Sequence, residues 1–349
     1  MKLSRALVAL IGLSSTVACS TTATAANASR MWHGCQIGNA RDYYDTDITN
    51  APIERNSRIR IASVVAAMDA QDALARISPS RGFSDDRGLY PINLAGPTTK
   101  DVLVVPRVAW HPHIPSPVPY DGSFRIESGA DAHYFVVQKA TAPACRDWEY
   151  YSVARVLDRS ALHLVAYAGQ VLDMATLQRI AGDGSPSVVG VNYLPSAITA
   201  EELDAASHGT PIRHVLNYVS QGYVMCNCFV YPAIPTVGDP YNKGAAANAY
   251  AADGLNRQLP EGARLRLHAS YSDPHASTAC RVVLNTLKHY GMFFRDSGSA
   301  YDDSNVINTL NYPNSSHSSN VDLHCLHNVH FTDFDVVRFA RPVQAPPRE

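Results

Sequence analysis

The feature that most constrains the fold is a series of short apolar runs in the part of the chain that begins at Asp101. These runs are rich in β-branched and aromatic residues, and clusters of Pro, Gly, Ser and Asn separate them. The clearest runs are Val102–Val105, His133–Gln138, Glu149–Val156, Leu162–Ala168, Ile212–Val219, Tyr223–Tyr231, Ala263–Tyr271 and Phe334–Phe339. Such spacing is typical of strands joined by turns and disfavours a doubly wound parallel sheet. We therefore predict a mainly β, α+β fold, with an antiparallel β-sandwich or jelly-roll-like core and a few peripheral helices.

Three segments carry helix signals instead. Thr199 begins the sequence Thr-Ala-Glu-Glu, a capping box in which the Thr199 hydroxyl and the Glu202 carboxylate satisfy free amides of the first turn. Gly209 is placed to end that helix. A second helix is predicted over Ser277–Gly291, and the amphipathic segment Ser57–Ile77 is predicted to be a helix that covers a sheet edge.

The N-terminus has the parts of a signal peptide. Lys2 and Arg5 precede the apolar run Ala6–Leu13, and small residues then lead up to Ala28 in an Ala-x-Ala spacing. The apolar run is far shorter than the roughly 20 residues that span a bilayer, so we predict no transmembrane segment. We therefore predict a secreted or periplasmic protein. Thr16-Val-Ala-Cys19 loosely resembles a lipoprotein cleavage box, which makes a lipid anchor through Cys19 the alternative.

Chain length and net charge limit the domain organisation and the kinds of binding partner that we expect. We predict a signal peptide (residues 1–28), one globular domain (29–341) and a disordered tail (342–349). The net charge of −2 disfavours a nucleic-acid or membrane-surface partner. The sequence has no G-x-S-x-G, H-E-x-x-H, Walker or dinucleotide-binding motif, and we predict no cofactor.

Cysteine usage is typical of an oxidising compartment. Loss of Cys19 with the signal peptide leaves an even set, suited to three disulfides: Cys35, Cys145, Cys226, Cys228, Cys280 and Cys325. In an extended strand, Cys226 and Cys228 have Cα atoms near the upper distance limit for a bridge, so we expect them to pair with separate distant partners. A metal site shared with nearby histidines is the alternative for this pair.

Ionisable residues stand in strand registers that otherwise face the core. Alternation puts Asp131 and His133 on the face of Phe135, and puts Glu149 and His214 on the apolar faces of their own runs. Burial of such groups costs several kcal/mol unless they meet partners, so we expect them to gather around one cavity. A His beside carboxylates is a workable acid/base set. The alternative is that Asp131 caps a turn and that the others are satisfied core residues.

Other residues are candidates for binding substrate. In Arg264-Leu-Arg266-Leu-His268, alternation gives one face of Arg, Arg and His, which either lines a groove for an anionic ligand or is solvated surface. Tyr231, Trp110 and Trp148 are candidates for stacking on sugar rings, although strand aromatics are usually core.

Two further motifs have a functional and a structural interpretation. Asp296 follows Met292-Phe-Phe-Arg at the end of a run, where it is a candidate acid or a turn cap. The histidines of His324-Cys-Leu-His327-Asn-Val-His330 lie on one side of a helix but on opposite faces of a strand. Because we expect Cys325 to be in a disulfide, we predict no metal site.

Six motifs follow one another in a collinear order: Asp131-Ala-His133, Trp148-Glu149-Tyr150-Tyr151, Ile212-Arg213-His214-Val215-Leu216, Phe229-Val230-Tyr231-Pro232-Ala233, Arg264-Leu-Arg266-Leu-His268-Ala-Ser270, and His289-Tyr290-Gly291-Met292 with Arg295-Asp296-Ser297-Gly298-Ser299. Together they resemble a family of secreted bacterial proteins of unassigned function. The resemblance covers most of the chain after the signal peptide. It implies a shared site or scaffold for Asp131, His133, Glu149, His214, Tyr231 and Asp296, and implies no reaction. The chain departs from the family pattern at His268, where the family has Lys, and the pair Cys226 and Cys228 is peculiar to it.

These observations lead to one functional hypothesis and one rival. The hypothesis is a secreted polysaccharide hydrolase or lyase, with catalytic candidates Asp131, His133, Glu149, His214 and Asp296. The candidates for substrate binding are Arg213, Tyr231, Arg264, Arg266 and His268. The expected partner is a polysaccharide or another extracellular small-molecule or polymer ligand, and the oligomeric state is left open. The rival is a non-catalytic, disulfide-stabilised envelope or extracellular binding protein in which the same residues form a satisfied network.

Overall fold

A computed structural model describes most of the chain between residues 30 and 344. The described ranges are 30–39, 42–75, 83–85, 90–109, 113–129, 131–139, 145–158, 161–182, 184–187, 189–220, 225–234, 258–297, 306–307, 309–311, 321–340 and 342–344. The predicted signal peptide, Cys19 and Trp110 lie outside these residues, so the predictions made for them stay predictions.

Short strands make up most of the regular structure. In chain order they are β1 (Arg30–Trp32), β2 (Cys35–Ile37), β3 (Ser84–Asp85), β4 (Tyr90–Ala95), β5 (Asp101–Val102), β6 (Val104–Pro106), β7 (Val118–Pro119), β8 (Tyr134–Gln138), β9 (Arg146–Tyr151), β10 (Ala154–Asp158), β11 (Ala161–Ala166), β12 (Ala168–Asp173), β13 (Gln178–Ala181), β14 (Ile198–Thr199), β15 (Leu216–Ser220), β16 (Met225–Phe229), β17 (Leu259–Glu261), β18 (Arg264–Leu267), β19 (Met292–Ser297), β20 (Val306–Ile307), β21 (Thr309–Asn311), β22 (Phe334–Val336) and β23 (Val343–Gln344). The α-helices of the described residues are α1 (Ser57–Ala75), α2 (Ala200–Ser207) and α3 (Thr278–His289). Two 3-10 turns cover His324–Asn328 and Phe331–Asp333.

Two large sheets dominate, and the predicted mainly β, α+β fold is confirmed. Sheet A has the strand order β13-β12-β9-β8-β4-β21-β14, and sheet B has the order β22-β18-β19-β15-β20-β3. Both sheets are mixed, because β4 pairs in parallel with β8 and β15 pairs in parallel with β19. A parallel pair needs a long crossover. The crossover from β4 to β8 contains β5, β6 and β7, and the crossover from β15 to β19 contains β16, β17, β18 and helix α3. The smaller sheets have the strand orders β1-β2, β10-β11-β6, β17-β16-β23 and β5-β7.

The helices lie where their sequence signals placed them. Helix α1 begins at Ser57, whose hydroxyl accepts a hydrogen bond from the Val336 amide of the edge strand β22 (2.8 Å), so the helix covers a sheet edge as predicted. The capping box of α2 is confirmed, because Thr199 and Glu202 exchange hydrogen bonds (3.2 Å and 3.0 Å). Ser277 caps α3. Gly209 and Gly291 follow α2 and α3 with φ of 89° and 68°, a conformation that favours glycine.

Some strand boundaries differ from the predictions. The run predicted over Glu149–Val156 is divided into β9 and β10, because the backbone turns at Ser152 with φ of 53°. The run predicted from Ile212 becomes a strand only at Leu216. The segment predicted as a disordered tail contains β23, which pairs with β16.

Three disulfides form, as the even cysteine set predicted. Cys35 pairs with Cys145, and Cys280 of α3 pairs with Cys325. Cys226 and Cys228 pair with each other, so the prediction of separate distant partners was wrong. The reason is a register irregularity of β16 between Cys226 and Phe229, which brings the two cysteine Cα atoms to 5.1 Å, within bridging range. No helix in the described ranges combines the length and apolarity that a membrane crossing needs.

The two faces of sheet A differ in character, and this difference locates the candidate site. One face is apolar and packs Tyr134, Val136, Trp148, Tyr150 and Val171 into a core. The other face carries His133, Asp147, Glu149 and Gln170, all of them buried, beside Phe135 and Val137. Segment 189–197 lies against this second face. Tyr193 of that segment also contacts Asp296 of β19, so it connects the two large sheets.

Candidate functional site

Three neighbouring strands of sheet A place polar side chains on one buried face. The register of β8, β9 and β12 puts Glu149 opposite Phe135 on one side and opposite Gln170 on the other. Gln170 Nε2 donates a hydrogen bond to Glu149 Oε2 (2.7 Å). Asp147 stands two residues before Glu149 on the same face of β9. Side-chain alternation, which predicted an inward Glu149, therefore brings a second carboxyl group beside it.

Tyr193 is the centre of the cluster. Its amide donates to Glu149 Oε1 (2.7 Å), and its hydroxyl donates to Asp296 Oδ2 (2.8 Å). The same hydroxyl is 2.9 Å from His133 Nε2. The Tyr193 ring is 1 % exposed and lies 4.4 Å from the Phe135 ring. Residues from three separate parts of the chain therefore meet at one phenol.

A β-bulge lets two consecutive residues of β19 reach the same tyrosine. Tyr218 pairs with Phe294 and Val219 pairs with Asp296, so Arg295 is the extra residue in the register of β15 and β19. In a regular strand, consecutive side chains point to opposite faces. A bulge relaxes that alternation and is frequent beside functional sites. Here it brings Arg295 over the Tyr193 ring and Asp296 to the Tyr193 hydroxyl.

Arg295 supplies the positive charge of the cluster. It is fully buried, and its Cζ lies 3.4 Å from the centroid of the Tyr193 ring and 5.1 Å from that of Tyr90. Arg295 Nη1 is also 3.6 Å from Asp296 Oδ2. A guanidinium over a ring face is attracted by the quadrupole of the ring. The contact therefore compensates part of the cost of burying this charge.

Glu127, His133, Tyr193 and Asp296 form one hydrogen-bonded series. Glu127 Oε2 bonds His133 Nδ1, His133 Nε2 bonds the Tyr193 hydroxyl, and that hydroxyl donates to Asp296. A carboxyl group therefore stands at each end of the series. The guanidinium of Arg295 lies over the Tyr193 ring and beside Asp296, where its positive charge offsets part of the cost of burying a carboxylate.

Glu149 and Asp147 form a buried carboxyl pair. Burial raises the pKa of Glu149 to about 7, although hydrogen bonds from Gln170 and Asp147 act to lower it. Burial, and then the charge of Glu149, hold the pKa of Asp147 well above its usual range. Near neutral pH the pair therefore shares a proton, which is the condition that separates an acid from a base in a carboxyl pair.

Asp131 lies at the rim of the cluster. It belongs to the turn before β8 rather than to the strand, because the backbone turns at Ala132 with φ of 45°. Its exposed carboxylate accepts a long hydrogen bond from Tyr151 (3.4 Å). Partial burial raises the pKa of Asp131, and the charge of His133 acts against that rise. The cluster of buried side chains therefore approaches solvent at Asp131.

His214 belongs to a different network. It is fully buried; Nδ1 lies 2.8 Å from the Val215 carbonyl oxygen, and Nε2 lies 3.2 Å from Glu202 Oε1. Burial acts to raise the pKa of Glu202, but His214, Arg30 and the Thr199 amide outweigh it and lower the pKa to about 2. The structure gives His214 no hydrogen bond to the Tyr193 cluster among the described residues. It acts as a structural partner of the N-terminus of α2.

The lowered pKa of Glu202 predicts a loss of stability in acid. The ionised form is favoured in the folded state, so its contribution is complete above pH 4.5 and disappears as the pH falls towards 2. We expect Glu202→Gln to lower the free energy of unfolding by roughly 2–3 kcal/mol at pH 7 and by much less at pH 2.5. Urea unfolding across this pH range measures the difference. Glu201→Gln, on the same helical turn, is the matched control, and an equal pH dependence in both variants would contradict the assignment.

The predicted arginine face of β18 is occupied by the protein itself. Arg264 donates to the carbonyl oxygens of Tyr43 (2.9 Å), Thr46 (2.8 Å) and Tyr290 (2.6 Å). Arg266 Nη1 donates to the carbonyl oxygens of Ile48 (2.6 Å), Thr49 (2.8 Å) and Ala51 (3.0 Å). The segment 43–51 therefore covers this face, and the two guanidinium groups hold that segment.

Within its described ranges the structure shows no side-chain contact between the cluster and the other predicted binding residues. His268 is partly exposed, 3.6 Å from Asp335. Arg213 is exposed. Tyr231 is 68 % exposed and packs edge-on against Tyr43 at 5.5 Å. Trp148 packs in the apolar core of sheet A. Of these residues, Tyr231 has the accessible ring that stacking on a sugar requires.

Sequence reasoning missed several members of the cluster. Asp147 could have been found from the alternation that predicted Glu149, and Arg295 adjoins the predicted Asp296. Tyr193 lies in irregular structure, and Glu127 lies in the loop before β8. These two carry no periodic signal.

Within the described ranges, no group of three or more His, Cys, Asp or Glu side chains could hold a metal ion. Comparison with known proteins found no matching family model, curated protein or solved structure. The geometry of the cluster is therefore the basis for assigning a function.

Proposed function

We propose that this chain is a secreted or periplasmic enzyme that acts on a polysaccharide, as a hydrolase or a lyase, with its acid/base centre at Tyr193. One observation carries the proposal: Tyr193 shares its hydroxyl between an imidazole and a carboxylate, while its amide donates to Glu149, whose pKa burial raises to about 7. Groups that hold or release a proton near neutral pH are what glycoside hydrolysis and β-elimination both need. From the collinear motifs we also propose that the chain belongs to the family of secreted bacterial proteins that it resembles.

The cluster supports each of the two reactions through different residues. In hydrolysis, protonated Glu149 is the candidate acid and Asp296 the candidate base. In elimination, His133 and Tyr193 are the candidates for proton transfer, and Arg295, which pairs with Asp296 in the structure, is the candidate for neutralising the uronate carboxylate. In both reactions, substrate reaches the cluster from the rim at which Asp131 lies. Tyr231 is the candidate for stacking on a sugar ring.

Export is supported by two features. The N-terminal sequence has the parts of a signal peptide, and three disulfides form in the rest of the chain. Disulfides persist mainly in oxidising compartments. The proposed substrate is accordingly an extracellular polymer.

A second candidate function is a non-catalytic extracellular or envelope binding protein. The observation that favours it is the burial of the cluster, since Glu149 and Arg295 are fully buried and His133 is 2 % exposed. A satisfied buried network also gives a fold its specificity. In this case the cluster holds segment 189–197 between the two large sheets and binds no substrate.

A substrate screen separates the two candidates. Purified protein is tested on acidic and neutral polysaccharides, and both reducing ends and the ultraviolet absorbance of unsaturated products are followed. We expect cleavage of at least one polymer, and a decrease in kcat of roughly 10²–10⁴-fold in Glu149→Gln and in His133→Ala. Absorbance of unsaturated products identifies the lyase, and reducing ends alone identify the hydrolase.

The control for the screen is Arg338→Met, an exposed position far along the chain from the cluster. It should leave kcat unchanged. Absence of cleavage on every polymer, or equal activity in the wild type and the cluster variants, would overturn the proposal and favour the binding protein.

A further inference from the structure

The 3-10 turn His324–Asn328 presents two histidines that the proposed active site does not use. His324 and His327 are both exposed, whereas Cys325 and Leu326 between them are buried. A 3-10 helix has three residues per turn, so positions three apart lie directly above one another. The two imidazole rings are therefore neighbours on one exposed surface.

The distance between the rings matches that of a chelate. The ring centroids of His324 and His327 are 5.3 Å apart, with an angle of 73° between the ring planes. Imidazole nitrogens bind Zn²⁺ at about 2.0–2.1 Å, which places two rings on one tetrahedral ion with centroids roughly 5 Å apart.

The turn itself is held from several sides. Cys325 is bonded to Cys280 of α3, and the Leu326 carbonyl accepts from the Phe83 amide (2.9 Å). Asp322 Oδ1 accepts from the His324 amide (2.9 Å), which also places a negative charge next to the pair. A ligand pair on a rigid backbone loses little freedom when it binds.

The disulfide of Cys325, from which the sequence predicted no metal site here, removes that thiol as a ligand but leaves both histidines exposed. We propose that His324 and His327 form a two-histidine site for a divalent transition-metal ion of the Cu²⁺, Ni²⁺ and Zn²⁺ class. Water fills the other coordination positions, because no third His, Cys, Asp or Glu of the described chain is grouped with them. Imidazole ligands suit these metals, and Cu²⁺ binds most tightly in the usual order of affinities. The site is separate from the Tyr193 cluster and does not depend on the proposed function.

Titration of the full chain with Cu²⁺, followed by calorimetry and by electron paramagnetic resonance, tests the site. Both ligands are held on the same turn, so the second imidazole binds at a high effective concentration. We therefore expect His324→Ala and His327→Ala each to weaken the binding of one Cu²⁺ ion per protein by roughly 10–100-fold. The double variant should lose less binding free energy than the sum of the two single losses, because either substitution alone already removes the chelate. The spectrum of the wild type should show two nitrogen ligands on that ion, and Ni²⁺ and Zn²⁺ should bind the same site more weakly.

The control is His208→Ala, which removes an exposed histidine after α2 and should leave the affinity for that Cu²⁺ ion unchanged. Both substituted histidines are exposed, and unchanged thermal unfolding of the metal-free variants verifies that they fold. The proposal is overturned if each single variant weakens Cu²⁺ binding by less than about threefold. It is also overturned if the two losses of binding free energy are additive, since either result describes adventitious binding to single histidines.

Discussion

Replacing Arg295 by methionine is expected to lower the free energy of unfolding by about 3–5 kcal/mol, the largest effect of any single substitution in the cluster. The guanidinium is fully buried, lies over the Tyr193 ring and faces the Asp296 carboxylate. Methionine keeps most of the volume but removes the buried positive charge beside the Asp296 carboxylate. The Arg295 charge also acts to lower the pKa of Glu149, so its removal should raise that pKa further. Guanidinium chloride unfolding at pH 7 measures the loss.

Two further variants make the Arg295 result specific. Arg295→Lys keeps the charge but loses the planar contact with the ring, so it should recover part of the stability. Arg338→Met removes an exposed guanidinium and should change the free energy of unfolding by less than about 0.5 kcal/mol. If Arg295→Met is as stable as the wild type, or if Arg295→Lys is no better than Arg295→Met, the charge of Arg295 does not stabilise the cluster.

Removal of the disulfide between Cys35 and Cys145 is expected to cost about 5 kcal/mol. This bond joins β2 to the residue before β9 across a sequence separation of 110, so it removes much of the freedom of the unfolded chain. Residues on either side of it, including Ile37, Phe135 and Tyr193, share one core cluster. The paired variant Cys35→Ala with Cys145→Ala should therefore weaken the packing beside the candidate site. Chemical unfolding under oxidising conditions measures the change.

The other two disulfides provide matched comparisons. Loop length predicts a cost of about 4 kcal/mol for the bond between Cys280 and Cys325, with a separation of 45, and about 1 kcal/mol for that between Cys226 and Cys228, with a separation of 2. The paired alanine variants should follow this order. A larger cost for the pair at Cys226 than for the pair at Cys35 would show that local packing, rather than loop length, decides the contribution.

Local signals predicted much of the fold. The capping box at Thr199 and the hydroxyl cap at Ser277 depend on a few adjacent residues, and both helices begin there. The period-two alternation around Glu149 correctly predicted an inward carboxyl group, because strand geometry fixes the direction of successive side chains. The pairing of Cys226 with Cys228 could not be predicted in this way, since it depends on an irregularity of β16 that local propensity does not encode.

The candidate site was only partly predictable for the same physical reason. His133, Glu149 and Asp296 do meet, and Asp131 lies at their rim, whereas His214 pairs with Glu202 elsewhere. The alternation of a strand shows which side chains point inward. Which residue each of them meets across the core depends on tertiary packing. Tyr193, which links the cluster, comes from irregular structure, and Arg295 reaches it only through a bulge.

The β18 arginines show a further limit. Alternation correctly separated Arg264 and Arg266 from the leucines between them. It left open what the polar face meets, and a segment more than two hundred residues away in the sequence provides the acceptors. Backbone carbonyls of irregular segments need donors, and arginine supplies several from one side chain. The charge of such a residue alone does not indicate a ligand site.

The central claim is that one phenol hydroxyl joins His133 to Asp296 inside the protein, and Tyr193→Phe tests it most directly. The matched control is Tyr150→Phe, since the buried Tyr150 hydroxyl donates to a neutral acceptor, the Pro115 carbonyl oxygen (2.7 Å). Loss of a hydroxyl that serves two buried ionisable groups should lower the free energy of unfolding by about 3 kcal/mol, against about 1 kcal/mol for the control. Equal losses of about 1 kcal/mol or less in both variants, measured by urea unfolding at pH 7, would contradict the shared hydroxyl and the acid/base centre built on it.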